Sequence, residues 1–119
     1  MPHKSGVYWL GLRQGCKVTP LYHGMASFLD ERVGQHRKAV EGRGTDVPVL
    51  HVGMQAASKV GTVVVRWEET GRYQTAESRE LRSRNYPFNS AKNEGYRIKA
   101  GLLALGISSG EVDTAIKKL

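Results

Sequence analysis

GVYWLGLRQGCKVTPLYHG, residues 6–24, decides the fold. Gly6 to Leu12 carries the valine and aromatic residues favoured in strands, and Val18 to His23 is a second short extended run. Between them, Arg13-Gln14-Gly15-Cys16-Lys17 is a glycine-containing link of hairpin length. The expectation is a β-hairpin whose strands carry Gly6-Val7-Tyr8 and Tyr22-His23-Gly24.

Beyond the hairpin, Ser27 with Asp30 three residues later reads as a helix start. Leu29, Val33 and Val40 fall on one helical face with His36 between them, while Arg32, Arg37 and Lys38 lie off that stripe. Glu41-Gly42-Arg43-Gly44 ends the helix, because glycine lacks helical preference. Thr45 to Lys59 reads two ways. Asp46 before Val47-Pro48 suits a helix with proline in its first turn, but Val49, Leu50 and Val52 also suit a strand. Gly61 to Glu68, with Val63-Val64-Val65-Arg66-Trp67, gives the strongest strand signal and is expected at the centre of a sheet. Thr70-Gly71-Arg72 turns into a helix from about Gln74 to Arg84 that Pro87 closes.

The last thirty residues read as helical. Ile98, Leu102 and Leu105 fall at helical spacing before Gly106. Ser108-Ser109-Gly110-Glu111 is a second capping box, opening a helix through Val112, Ala115, Ile116 and Leu119. The expected fold is α+β: a small three-stranded antiparallel sheet flanked by helices. Residues 1–90 form the core and 91–119 a helical extension packed on the same domain.

The 119 residues suffice for one modest core. No run approaches the length of a membrane span, and the first residues lack the apolar stretch of a secretory signal. A single Cys16 makes no internal disulfide, which fits a reducing cytoplasm. Eighteen Lys/Arg against eleven Asp/Glu give a formal charge of +7, a footprint suited to a polyanion.

Cutting a phosphodiester requires an oriented water, charge relief on the phosphate and help for the leaving oxygen. A divalent metal on a carboxylate, an arginine and a tyrosine or histidine near the nucleophile cover those needs. Tyr8, Tyr22, Arg32, His36 and Glu77 supply these side-chain types. Taken singly, the tyrosines are ordinary strand aromatics, Arg32 a solvated helix residue, His36 a half-buried helix neighbour and Asn89 a loop residue.

Together, Gly6-Val7-Tyr8, Tyr22-His23-Gly24, Arg32, His36, Glu77 and Asn89 resemble the GIY-YIG nuclease superfamily over residues 5 to 90. The most specific part is Leu21 to Ser27 followed by Arg32 and His36. The spacing from Glu77 to Asn89, ending in Tyr86-Pro87-Phe88-Asn89, is a second match, and it favours Glu77 over nearby Glu80. The resemblance implies a metal-dependent DNA endonuclease leaving 5′-phosphate and 3′-hydroxyl ends. It implies that Tyr8 and Tyr22 flank the scissile phosphate, one of them positioning or deprotonating the water. Arg32 would hold the phosphate oxygens, His36 relay a proton, and Asn89 brace the site from its edge. Glu77 would be the one protein ligand of Mg2+ (or Mn2+), with water and phosphate completing the shell.

The chain departs from the pattern in having Val7 for isoleucine, His23 for a small β-branched residue, and Met25 where many members carry lysine. Lys17 or His23 could take that lysine's place. Arg66, Arg72, Arg79, Arg82, Arg84 and Lys92 are expected to form a basic rim on the phosphate backbone of double-stranded or branched DNA. Trp9 and Trp67 are expected in the core. A restriction, repair or recombination role is open. One metal site cutting a duplex requires a homodimer or sequential nicking. The competing reading is a catalytically inactive nucleic-acid-binding module on the same fold.

Overall fold

Three antiparallel strands carry the structure: β1 (Gly6–Gln14), β2 (Lys17–Ala26) and β3 (Thr62–Glu69), in the order β2-β1-β3. Five helices complete it: α1 (Leu29–Val40), α2 (Pro48–Ala57), α3 (Tyr73–Ser83), α4 (Tyr96–Ala104) and α5 (Ser109–Ile116). The computed structural model describes residues 1–41, 48–83, 86–89 and 96–117. The chain is therefore α+β, as the pattern predicts. No helix among the described residues is long and apolar enough to cross a membrane.

The hairpin is tighter than the sequence suggests. Gln14 pairs with Lys17, leaving only Gly15 and Cys16 in the turn. Gly15 has φ +63 and no other residue of the turn is left-handed, the pattern of a II′ turn with glycine first. Pro20 is tolerated in β2 because that strand is at the sheet edge. One residue further, the β1–β2 register slips between Leu10 and Gly11. The bulge leaves Leu21 without a partner on β1 and buries it.

The central strand is β1, not the valine-rich β3. The all-round apolar character of Val63-Val64-Val65 suggested burial on both faces, yet β3 is an edge strand and its valines are only partly buried. Trp67 is 42 % exposed, against its expected place in the core. Residues 6–12 fill the centre instead because Gly6 and Gly11 let the neighbouring strands close in. A side chain at Gly6 would collide with the Glu68 carbonyl and the Leu29 side chain.

Strand alternation assigns the two faces. Tyr8, Leu10, Leu12, Tyr22, Gly24, Val63 and Val65 share one face; Trp9, His23, Val64 and Arg66 share the other. The first face meets α1 through buried Leu29, Val33 and His36, the stripe read from the sequence. Each such aliphatic side chain contributes roughly 1.5–3 kcal/mol. The ambiguous 45–59 region is helical from Pro48, while the expected cap at Asp46 lies outside the described residues. The start of α1 also differs from expectation. Lys4 and Pro2 carbonyls accept the Leu29 and Asp30 N–H groups, and the Ser27 hydroxyl lies 3.3 Å from that of Tyr73.

At the far end, α4 and α5 place Ile98, Leu102, Leu105, Ile107, Val112 and Ala115 in the same core as the sheet. Gly106, at φ +89, reverses the chain. Its N–H bonds the Leu103 carbonyl and that of Ile107 the Leu102 carbonyl, a Schellman closure. The Ser108 hydroxyl then accepts the Glu111 N–H at 3.4 Å, as the capping box predicts.

Candidate active site

Tyr8 is the centre of the candidate site. Its ring, with 0 % exposure, passes directly over Gly24 on the paired strand. A Cβ at Gly24 would lie 2.5 Å from the Tyr8 hydroxyl and 2.9 Å from the Tyr22 ring. That is the physical reason for glycine two residues after Tyr22: the space its side chain would fill holds a phenol.

Three rings meet here. Tyr8 and Tyr22 centroids are 6.0 Å apart, Tyr8 and His36 5.4 Å, and Tyr22 and His36 5.6 Å. The Tyr8 hydroxyl lies 2.6 Å from His36 Nε2. The Arg32 guanidinium and the Tyr22 hydroxyl are the other polar groups at that oxygen. Arg32 also donates to the Gln35 side chain at 2.9 Å. Burial, reinforced by Tyr22, pushes ionisation of Tyr8 far above the usual phenol range, and Arg32 only partly offsets this. Tyr8 therefore remains a neutral phenol that can donate one hydrogen bond while accepting others. Tyr22 and Arg32 are partly exposed, whereas Tyr8 and His36 are buried. The sequence thus places Tyr8, Tyr22, Arg32 and His36, from a hairpin and a helix, around one oxygen.

The outer edge of β2 is closed by the other two predicted residues. Leu21, His23 and Met25 direct main-chain groups away from β1. The Phe88 N–H bonds the Leu21 carbonyl at 3.0 Å. Asn89 accepts the His23 N–H at 2.5 Å and donates to the His23 carbonyl at 2.6 Å. The Met25 N–H points to the carboxylate of Glu77, on α3. Burial raises the Glu77 pKa above its usual value, and the Met25 N–H partly opposes that rise. Glu77 has no ion-pair partner among the described residues. Glu80 is committed elsewhere, accepting the Tyr86 hydroxyl at 2.6 Å.

The opposite face of the sheet holds a second aromatic group that motif reading missed. The His23 ring is buried between Trp9, at 4.6 Å, and Tyr86, at 5.7 Å. Trp9 Nε1 donates to the Tyr86 hydroxyl at 3.0 Å, and Arg66 lies 4.1 Å over the Trp9 ring. Neither His23 ring nitrogen has a hydrogen-bond partner among the described residues. Burial lowers its pKa, favouring the neutral ring between the two aromatic side chains. Strand alternation, which sends His23 away from Tyr8 and Tyr22, was the available signal for this layer.

Neither residue offered in place of the missing lysine is suited to that role. His23 is buried on the other face, and Lys17 is exposed at the hairpin tip, the far end of β2 from Gly24. Of the predicted basic residues, three have described side chains, each on a different element. Arg66 is on the Trp9 face, Arg72 is in the turn between β3 and α3, and Arg79 is exposed on α3. The side chain of Arg82, and all of Arg84 and Lys92, lie outside the described residues.

Among the described residues, no three His, Cys, Asp or Glu side chains cluster. A cation at Glu77 would accordingly complete its shell with water and substrate oxygens, which suits magnesium. Comparison with known proteins adds no relative: no family model, curated protein or solved structure matches this chain.

Proposed function

We propose that this protein hydrolyses phosphodiester bonds in double-stranded or branched DNA, using the single-metal chemistry of GIY-YIG nucleases. The observation that supports this most is the convergence of Tyr8, Tyr22, Arg32 and His36 on one hydroxyl, beside the strand edge where Glu77 meets Met25. Arg32 offers a fixed positive charge to phosphate oxygens and offsets charge developing in the transition state. Tyr22, the partly exposed ring, orients the attacking water. Tyr8 is too buried to act as a base; it aligns Tyr22, Arg32 and His36 and can pass a proton between its neighbours.

Glu77 fits a hard divalent cation: it is a partly accessible oxygen donor whose burial disfavours an uncompensated negative charge. Bound Mg2+ or Mn2+ would supply Lewis-acid charge relief and a more acidic water. The formal charge of +7 favours approach to a polyanion, and the lone exposed Cys16 is compatible with the reducing cytoplasm.

The deciding experiment is cleavage of supercoiled plasmid with magnesium by wild type and by Glu77→Gln, with DNA binding read separately by mobility shift. The amide introduced by Glu77→Gln keeps an acceptor for the Met25 N–H, so the variant should fold. Nicking by wild type, abolished in the variant with binding intact, is the expected result. Binding without cleavage by both, over several metals and on branched as well as linear DNA, would favour the competing reading of a binding module. The burial of Tyr8 and His36 is what recommends that alternative.

A further inference from the structure

The two edges of the sheet are treated differently. On β2, the Leu21 carbonyl, both main-chain groups of His23 and the Met25 N–H are taken by Phe88, Asn89 and Glu77. On β3, none of the outward main-chain groups has a partner among the described residues. Thr70 N–H bonds inward to the Ser5 carbonyl, so alternation turns the main-chain groups of Val63, Val65, Trp67 and Glu69 outward. No main-chain or side-chain hydrogen bond reaches those groups among the described residues. The strand runs eight residues, and the large side chain on its open edge, Trp67, is 42 % exposed. An open edge of this length is a template for another extended chain.

We propose that the β3 edge pairs with the β3 edge of a second copy, antiparallel about a two-fold axis at Trp67. In this register, outward Trp67 faces its own counterpart and Val65 faces Glu69 of the second copy. Each facing pair exchanges two main-chain hydrogen bonds. The charges select the register. Arg66 and Glu68 flank Trp67 symmetrically on one face of the strand, so the two-fold sets each arginine opposite the other copy's glutamate. A two-fold at Val65 would set Arg66 against Val64 and Glu68 against Thr62, leaving both charges unmatched. A two-fold at Arg66 would set the arginines against each other. Only the Trp67 register is self-complementary in charge, a property of a homotypic partner and not of an arbitrary peptide.

The resulting sheet has six strands in the order β2-β1-β3-β3-β1-β2. The axis is perpendicular to the sheet, so both Tyr8 faces point the same way, and the outer strands are about 24 Å apart. On the nuclease reading proposed above, this gives one duplex two sites on one surface.

Sedimentation equilibrium of the full chain tests the pairing without any cleavage assay. The expected mass rises with concentration from 13.2 kDa towards twice that value. Arg66→Glu alone should weaken association about tenfold, through two repulsive pairs. The double variant Arg66→Glu/Glu68→Arg should restore it at unchanged net charge. Trp67→Pro removes an N–H that points out of the sheet, and should abolish dimerisation while far-UV circular dichroism stays native. A single-chain mass up to millimolar concentration would overturn the proposal. So would a dimer indifferent to Trp67→Pro or to Arg66→Glu, or one that the double variant fails to restore. Dimerisation without nuclease activity would uphold the interface and refute only the reading of the site.

Discussion

Asn89 holds both main-chain groups of His23 at once, accepting its N–H and donating to its carbonyl oxygen. One side-chain amide thereby imitates a neighbouring strand, fixing β2 next to Tyr22 and Gly24. Asn89→Ala leaves both groups unpaired and should cost about 1–3 kcal/mol in urea unfolding. Asn89→Asp keeps the acceptor but sets a carboxylate against the His23 carbonyl. Its loss should diminish below about pH 4, where a protonated carboxyl can donate again. An unchanged urea midpoint in Asn89→Ala would remove this role.

Gly24 gives a steric prediction. A methyl group there meets the Tyr8 ring and hydroxyl, so Gly24→Ala should lose about 1–3 kcal/mol and separate Tyr8 from His36. Gly34, in the middle of α1, has nothing within 4 Å of its added Cβ. Gly34→Ala should instead stabilise by about 0.5–1 kcal/mol. Thermal unfolding of the pair decides the matter, and equal effects would contradict the packing of Tyr8 over Gly24.

His23 should make stability depend on pH. Its folded pKa lies below the ordinary value of 6.5, so the unfolded chain binds the proton more readily. The contribution of neutral His23 is then fully present above about pH 7.5 and declines as pH falls from the unfolded pKa towards the folded one. His23→Phe preserves a ring between Trp9 and Tyr86 and removes the titration. The difference in urea midpoint between wild type and variant should widen in the variant's favour from about pH 8 to about pH 5. Parallel profiles would show that His23 is not the group responsible.

Tyr8 and Tyr22 should separate stability from turnover. Tyr8→Phe removes the hydroxyl beside buried His36 and should destabilise by about 1–3 kcal/mol. Tyr22→Phe acts at a partly exposed ring; it should cost under about 1 kcal/mol while reducing plasmid nicking at least tenfold, within the range for loss of a positioned proton-handling group. Calorimetry alongside the nicking assay distinguishes the two, and the reverse pattern would exchange their roles.

Local chemistry made much of the fold readable. Gly15 required a turn, Ser108 with Glu111 a helix start, and Gly106 a helix stop; each is a short-range demand that a residue and its neighbours state together. Sheet order was not readable in that way. Val63-Val64-Val65 has the composition of a central strand, but position in a sheet depends on what pairs from a distance, and Gly6 and Gly11 gave the centre to β1. Ser27 resembled a cap while the actual acceptors, the carbonyls of Lys4 and Pro2, came from more than twenty residues away. At the candidate site, it was the resemblance to GIY-YIG nucleases that singled out Tyr8, Tyr22, Arg32 and His36; taken one by one, these residues are ordinary strand and helix positions. That Tyr8 would be wholly buried and Tyr22 partly accessible depends on α1 lying across the sheet, which spacing does not encode.

The position of Tyr8 on β1 also bears on how this molecule moves. Active groups often ride on loops that open far more readily than the rest of a protein. Here the central phenol is anchored to the strand bonded on both sides, beneath α1 and at the heart of the core. Its amide should be among the slowest to exchange with deuterated water, at a rate set by global unfolding. Loosening the phenol therefore means dismantling the domain, and on the proposed nuclease reading any adjustment to a substrate would come from Tyr22, Arg32 and α3 at the rim.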